Sequence, residues 1–199
     1  NNEKVYRYKD GIIDLIFTKA NNESIGFMGI SPENDFYLTY HKRETFSDYN
    51  ENFLLKISQD TMIEYAILGP PEIEGKPIRK MMIDEQGKIW LSSEDGMIIF
   101  ENGTFSFLSN TDILGQEPYS LLAFITRDSL VWMYDKFDRQ TPLKAYHNSQ
   151  IVAKHRLTPT HFVYNNFNEI GLNPTGGVVV TSGGLEYVHE YENEQWILS

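Results

Sequence analysis

The sequence predicts an all-β, propeller-like fold, and three observations lead to that prediction. Two short sequence frames recur along the chain at intervals of about 40–50 residues, the length of a four-stranded propeller blade. Asn-, Asp- and Gly-containing segments separate short apolar runs, as expected for strands joined by tight hairpin turns. No long amphipathic helical pattern is present. An ordinary β-sandwich or barrel is the alternative to which the turn signals alone would lead.

The first frame joins an apolar residue to an aromatic residue seven positions later, across a polar turn. Its clearest copy is Ile83–Trp90, and gapless copies occupy residues 30–37, 125–132 and 172–179, the last with Val in the aromatic position. The final residues of the four copies are 53, 42 and 47 residues apart in chain order. Each copy predicts the turn between a short apolar strand A and a strand B that carries the aromatic residue. Strand A is predicted at Ile25–Ile30, Arg79–Ile83, Leu121–Ile125 and Glu169–Leu172.

The second frame consists of an aromatic residue, a short polar turn that usually contains Asn, and an apolar run. Asn, Asp and Gly tolerate positive φ, so each copy predicts a tight turn between a strand C and a strand D. The five copies begin at Tyr8, Tyr49, Phe100, Tyr146 and Tyr191.

Together the two frames divide the chain into a C–D half blade and four complete blades. The half blade is predicted at residues 1–20 and the blades at about 21–65, 66–115, 116–160 and 161–199, all within one domain of residues 1–199. Neither end supplies strands A and B for the half blade. The chain is therefore expected to be part of a longer propeller, a small ring closed unconventionally, or a five-bladed ring with one thin blade. An open end would expose strand edges, which favours self-association.

At the clearest copy the sequence resembles the two-component regulator propeller repeat, which reads as D-x-x-G-x-I/L-W, a hydrophobic residue, and a short turn with Gly. The third copy fits in part, through Asp128, Val131 and Trp132, and the copies at 30–40 and 173–187 fit more weakly. The residues that fit closely are Asp84, Gly87, Ile89, Trp90, Leu91 and Gly96.

The resemblance implies a sensor domain of a bacterial hybrid two-component receptor, in the periplasm or outside the cell. Such domains often respond to products of polysaccharide breakdown, so we expect a non-enzymatic, carbohydrate-responsive sensing or binding module. A protein-interaction scaffold is the first alternative, and a propeller-type lyase or glycosidase is the second.

Composition narrows the classes of partner. The formal net charge is −11 without a block of Lys or Arg, which disfavours nucleic-acid binding because phosphate contacts need clustered positive charge. No apolar run approaches about 20 residues, so no membrane segment is predicted in this chain. The chain contains no cysteine, which excludes disulfides and thiolate metal sites. The expected partners are an oligosaccharide or other small ligand, adjacent receptor domains or a protein partner, and further copies of the chain through open blade edges.

No catalytic or metal-binding motif stands out in the sequence. The five histidines lack the i, i+4 spacing of a zinc-binding helix, although His155 and His161 flank one connection. The acidic turn at residues 94–96 lacks the dense carboxylate pattern of a calcium loop. A G-x-S-x-G segment is absent. The sequence therefore predicts no cofactor, no metal site, no catalytic residues and a protein that is not an enzyme.

A binding site is predicted where the repeat is broken. Trp90 and Trp132 occupy equivalent frame positions, so both are predicted to pack between blades. The B–C and D–A loops emerge on one face of a propeller, and the B–C segments at 40–43 and 134–140 mix aromatic residues with both signs of charge. Such a mixture suits stacking on a ring and hydrogen bonding to hydroxyls or carboxylates. The Pro-stiffened D–A connection at 69–77 is predicted to lie on the same face. The predicted ligand-binding residues are Tyr40, Arg43, Tyr134, Lys136, Asp138 and Arg139.

Overall fold

The computed structural model describes residues 4–43, 50–58, 61–71, 74–93, 95–109, 121–125, 131–135, 143–147, 150–155, 167–172, 178–182, 187–192 and 195–198. Every helix or strand within these ranges is a β-strand. A helix long and apolar enough to cross a membrane is absent from the same ranges.

The strands follow one another along the chain without intervening helices in the described ranges. In chain order they are β1 (Lys4–Lys9), β2 (Ile12–Thr18), β3 (Glu23–Ile30), β4 (Phe36–Arg43), β5 (Asn50–Ser58), β6 (Thr61–Ala66), β7 (Lys80–Ile83), β8 (Ile89–Ser92), β9 (Gly96–Glu101), β10 (Thr104–Ser109), β11 (Leu121–Ile125), β12 (Val131–Asp135), β13 (Leu143–His147), β14 (Gln150–His155), β15 (Phe167–Leu172), β16 (Val178–Ser182), β17 (Tyr187–Glu192) and β18 (Gln195–Leu198).

The strands form five antiparallel sheets in which neighbours in sequence pair with each other. We call β1–β2 the half blade, and β3–β6, β7–β10, β11–β14 and β15–β18 the first to fourth blades. Strand A of each blade contacts strand A of the next, because β3 contacts β7, β7 contacts β11 and β11 contacts β15. This radial order of meander sheets is that of a propeller. The predicted all-β, propeller-like fold is confirmed, and the assignment of residues 1–199 to a single domain stays a prediction.

Apolar side chains pack between successive sheets. The half blade and the first blade share one cluster, and the first and second blades share another. The first cluster contains Val5, Leu38, Tyr40 and Leu55, with Ile16 and Phe17 packed against it. The second contains Tyr37, Leu54, Ile67, Ile89, Leu91, Ile98 and Phe100. Alternate residues of β4 therefore serve opposite faces of one blade, as the two-residue period of a strand requires.

The turn between β7 and β8 explains the residues of the best-fitting repeat. Asp84 is buried, and its Oδ1 accepts hydrogen bonds from the amides of Gln86 at 3.1 Å and Lys88 at 2.8 Å. Its Oδ2 accepts a hydrogen bond from Nε1 of Trp90 at 3.1 Å. Gly87 has φ of +78°, a conformation that favours glycine. The Asp, Gly and Trp of the motif thus build one turn, and Trp90 is a buried part of it, while its packing between blades stays a prediction.

The equivalent turn of the first blade repeats this geometry with different residues. The amide of Asp84 donates to the carbonyl of Lys88 at 3.0 Å, and the amide of Ser31 donates to that of Asp35 at 2.9 Å. Oγ of Ser31 accepts from the amide of Asp35 at 3.3 Å, as the carboxylate of Asp84 does from Lys88. Asn34 has φ of +64° at the position of Gly87. The gapless alignment of these two copies is therefore correct in three dimensions.

Four of the five predicted C–D turns fall between paired strands, and the copy that begins at Tyr49 is wrong. Residues 50–53 lie inside β5, which runs from Asn50 to Ser58 and pairs with β4 along its length. Asn52 is buried there, and its side-chain amide donates to the carbonyl of Lys76 at 2.9 Å. Its polar group is therefore satisfied by the D–A connection, and no turn is needed to expose it.

Candidate functional site

The candidate site is the edge of the sheets where B–C turns and D–A connections emerge, which we call the loop face. In the first blade this face comprises the end of β4 and the start of β5. The predicted B–C loop at Tyr40–Arg43 is wrong, because these four residues belong to β4 and pair with residues 50–53 of β5. The ladder can extend this far because Tyr40 and Phe53 form an aromatic cross-strand pair.

Tyr40 lies beneath the loop face and is only 3% exposed. Its ring stacks on Phe53 with centroids 5.0 Å apart and contacts Phe17 of the half blade at 5.4 Å. Its hydroxyl donates a hydrogen bond to the carboxylate of Glu64. Burial, followed by the neighbouring Glu64 carboxylate, raises the pKa of Tyr40 well above its usual range. Tyr40 therefore supports the rim of the site as a neutral phenol.

Lys42 lies directly above Tyr40 and Phe53 on the same face of the sheet. Its Nζ is 4.3 Å from the centroid of the Phe53 ring and 5.7 Å from that of Tyr40. The same atom lies 3.9 Å from Oε1 of Glu23, whose Oε2 accepts a hydrogen bond from the amide of Ala20 at 2.7 Å. The ammonium is held over aromatic faces, an attractive arrangement, and its side chain stays 32% exposed. A cation, a carboxylate and two aromatic rings thus meet at the rim, and we call this group the rim cluster.

The D–A connection between the first and second blades borders the same face. Its Lys76 carbonyl accepts from Asn52, and Lys76 Nζ lies 3.6 Å from Oδ2 of Asp95 in the next B–C turn. That turn is closed by the amide of Ser93, which donates to the carbonyl of Gly96 at 2.9 Å. The predicted placement of the D–A connection beside a B–C turn therefore agrees with these contacts. The two side chains are 46% and 43% exposed, so both groups are accessible to solvent, and an exposed ion pair of this kind contributes little stability.

The six predicted ligand-binding residues are not equally well placed by the structure. Tyr40 is buried in the rim cluster, Arg43 is the last residue of β4, and Tyr134 lies in β12, paired with Leu143. Lys136, Asp138 and Arg139 lie outside the described residues. Their role in ligand binding stays a prediction.

Sequence reasoning did not identify Glu23, Lys42, Phe53 or Glu64 as neighbours of Tyr40. Their proximity depends on the strand register, in which Tyr40 pairs with Phe53 and Lys42 pairs with both Glu23 and Glu51. The sequence offered one signal for this proximity, the spacing of two residues between Tyr40 and Lys42. In a strand, residues at this spacing point to the same face, so an aromatic ring and an ammonium group would lie side by side. Within the parts of the chain described by the structure, three or more His, Asp or Glu do not come together in a group that could hold a metal ion.

No protein-family model matches the chain, and no curated protein matches it significantly. Solved structures do match. Virginiamycin B lyase from Staphylococcus aureus is 14% identical with a TM-score of 0.66, and the match covers 98% of this chain and 61% of the lyase. The extracellular domain assigned to a hybrid two-component system from B. thetaiotaomicron is 14% identical with a TM-score of 0.62, covering 96% of this chain and 24% of that one. A luciferin-regenerating enzyme is 9% identical with a TM-score of 0.58, covering 93% and 64% of the two chains.

At these identities the likeness concerns the fold. This chain spans less than two thirds of each of these three structures. The prediction that the protein is not an enzyme is wrong as an inference from fold and repeat, because virginiamycin B lyase and the luciferin-regenerating enzyme share this fold. The same fold also occurs in an extracellular domain of a two-component system.

Proposed function

We propose that this chain is the ligand-binding part of an extracellular or periplasmic bacterial receptor and that an oligosaccharide or another small polar ligand binds at the loop face. Its repeat is of the two-component regulator propeller type, and adjacent domains of the receptor receive the signal. The fold likeness to the extracellular domain from B. thetaiotaomicron supports this assignment. The Asp84, Gly87 and Trp90 turn supports the repeat type, since each motif residue has a defined place in it.

The aromatic residues of the first frame are buried, so we do not expect a ligand to bind to them. Trp90 is 8% exposed, and its indole N–H is bonded to Asp84. The aromatic residue at the same position of the first blade, Tyr37, is 6% exposed and packs against the second blade. Because both rings are buried, a sugar ring could not stack on Trp90 or Tyr37 without displacing the side chains that cover them.

The observation that carries the proposal is the departure of the first blade from the repeat at the loop face. Strand β4 has 8 residues where the equivalent β8 has 4, and the extension carries the rim cluster. Lys42 offers hydrogen-bond donors, Glu23 offers acceptors and Phe53 offers an apolar ring. Sugars are bound by this combination of polar groups and aromatic faces.

The test is binding of defined neutral and acidic oligosaccharides, measured by thermal shift and then by calorimetry. A ligand of the folded state raises the melting temperature by mass action, and this rise should depend on its concentration. Lys42→Ala should weaken binding at least about tenfold, the value of one hydrogen bond to a charged group. The matched control is Lys88→Ala. Lys88 also lies over an aromatic ring, 5.8 Å from Trp90, but in an A–B turn on the opposite edge of the sheet.

If Lys42→Ala and Lys88→Ala weakened ligand binding equally, the lysine charge would act on the ligand only from a distance. The binding site would then not be at the rim cluster. Products should be analysed in the same incubations, because enzymes share this fold. Turnover of a sugar with retained dependence on Lys42 would keep the site and change the activity to that of a lyase or glycosidase.

A further inference from the structure

A lysine is buried in the third blade at a position that is aliphatic in the two blades before it. Lys144 lies in β13 and is 3% exposed. It pairs with Met133, which holds the same frame position as the residues that pair with Leu55 in the first blade and with Ile98 in the second. Leu55 lies in the cluster shared with the half blade, and Ile98 lies in the cluster shared with the first blade. By register, Lys144 therefore lies on the side of the third blade that faces the second blade.

The side of the second blade that is turned toward the third blade also carries a buried polar group. Strand β8 contacts β11, and Leu91 packs toward the first blade, so the next residue, Ser92, points toward the third. Ser92 is 1% exposed, and its Oγ has no hydrogen-bond partner among the described residues. In the first blade the equivalent residue is Thr39, whose Oγ1 accepts a hydrogen bond from the amide of Phe27 at 2.7 Å. The hydroxyl is thus satisfied in the first blade and unsatisfied in the second.

The interface between the first and second blades provides a comparison within the same molecule. Its buried cluster is apolar and aromatic, and the ring of Phe100 contacts those of Tyr65 at 4.7 Å and Tyr37 at 6.5 Å. Thr39 and Asn52, which are polar and buried on the same side of the first blade, are both hydrogen-bonded within the chain. Separation of these two blades therefore exposes apolar rings to water and relieves neither of these two polar groups.

Polar groups at Lys144 and Ser92 change the free energy of separating the second blade from the third. Separation exposes apolar side chains to water, which opposes opening at any blade interface. At this interface it also returns an ammonium group and an unsatisfied hydroxyl to water, which favours opening. Lys144 has an interaction partner, but pairing of a buried charge does not remove the cost of its lost hydration.

We propose that the interface between the second and third blades is the joint of this propeller, at which the molecule opens more readily than at the interface between the first and second blades. The half blade and the first two blades then stay together as one body while the third blade separates from them. The joint is distinct from the rim cluster, and its opening does not depend on ligand binding there.

The test is the rate at which a thiol reagent reaches the two faces of β9. Met97 and Ile98 are each 1% exposed, and because Ile98 packs toward the first blade, its neighbour Met97 points toward the third. The chain has no cysteine, so Met97→Cys and Ile98→Cys each report on one interface. When opening and closing are fast relative to labelling, the rate measures the population of the open state. After correction for global stability by urea unfolding, Met97→Cys should be labelled at least about tenfold faster than Ile98→Cys.

Two substitutions test the cause of the opening. Ser92→Ala and Lys144→Met, each made in the Met97→Cys protein, remove groups that gain hydration on opening, so each should slow labelling about tenfold. The matched control is Thr39→Val, which removes the equivalent but hydrogen-bonded hydroxyl and should not slow labelling of Met97→Cys. Equal corrected rates for Met97→Cys and Ile98→Cys, or a Met97→Cys rate that neither Ser92→Ala nor Lys144→Met slows, would overturn the proposal.

Discussion

Removal of the Asp84 carboxylate tests the structural meaning of the repeat. In Asp84→Ala, two backbone amides and the buried indole N–H of Trp90 lose their acceptor. Water can reach the amides of Gln86 and Lys88 in part, so each loss costs about 1 kcal/mol, while an unsatisfied buried donor costs about 1–3 kcal/mol. We therefore expect the free energy of unfolding to fall by about 3–5 kcal/mol.

Two further variants divide this effect. In Asp84→Asn the side-chain oxygen can still accept from the two amides, but an NH₂ group then faces the indole N–H, so we expect about half of the loss. Ser31→Ala removes one hydrogen bond of 3.3 Å from the equivalent turn, and about 0.5–1 kcal/mol should be lost. Urea unfolding followed by tryptophan fluorescence and circular dichroism gives the values, with an unchanged m value as the check. A loss for Asp84→Ala no larger than that for Ser31→Ala would refute the assignment of Asp84 as the centre of the turn.

Three other substitutions probe the turn, the rim and a surface ion pair. Gly87→Ala and Gly103→Ala should each cost about 1 kcal/mol or more because both glycines have positive φ. The loss should be larger at Gly87, where a β-carbon would lie 3.0 Å from Oε2 of Glu33, than at Gly103, where it meets no atom within 4 Å; urea unfolding compares the two. Tyr40 has a raised pKa in the folded protein, so its contribution to the free energy of unfolding is complete below about pH 10 and is lost as the pH rises further. In urea unfolding at increasing alkaline pH, Tyr40→Phe should reduce the fall in this free energy by up to about 1.4 kcal/mol per pH unit. The hydrogen bond from Lys56, 2.6 Å away, lowers the pKa of Asp35, so stability from this pair is present above about pH 4 and is lost as pH falls through the folded pKa; acid unfolding of Lys56→Met should begin at higher pH than that of the wild type.

Local turn chemistry was predictable from the sequence. Asp84, Gly87 and Trp90 lie within seven residues, and their interactions close within the same turn. The gapless copy at 30–37 also folds as predicted, although Ser31 and Asn34 replace Asp and Gly. Both replacements keep the physical requirement, an acceptor at the first position and a residue that tolerates positive φ at the fourth.

Features that depend on distant pairing were not predictable. The segment at 40–43 looked like a loop because it is polar and charged, yet it continues β4 by pairing with β5. Asn52 looked like a turn residue, yet Lys76, in the connection between the first two blades, accepts its hydrogen bond. The rim cluster arises from the same register, so its residues could be named only after the pairing of β3, β4 and β5 was known.

Strands A of successive blades lie side by side, β3 against β7, β7 against β11 and β11 against β15. A β-carbon added at Gly29 of β3 would lie 3.4 Å from Cγ1 of Ile83 in β7. Because the chain has no cysteine, the double variant Gly29→Cys, Ile83→Cys reports this proximity without interference. Mass spectrometry after mild oxidation should find the intramolecular disulfide in most molecules, and not in the control Gly29→Cys, Ile63→Cys, whose second site is in β6 at the other side of the same sheet. Equal and low disulfide yields for the two pairs would contradict the radial arrangement of blades.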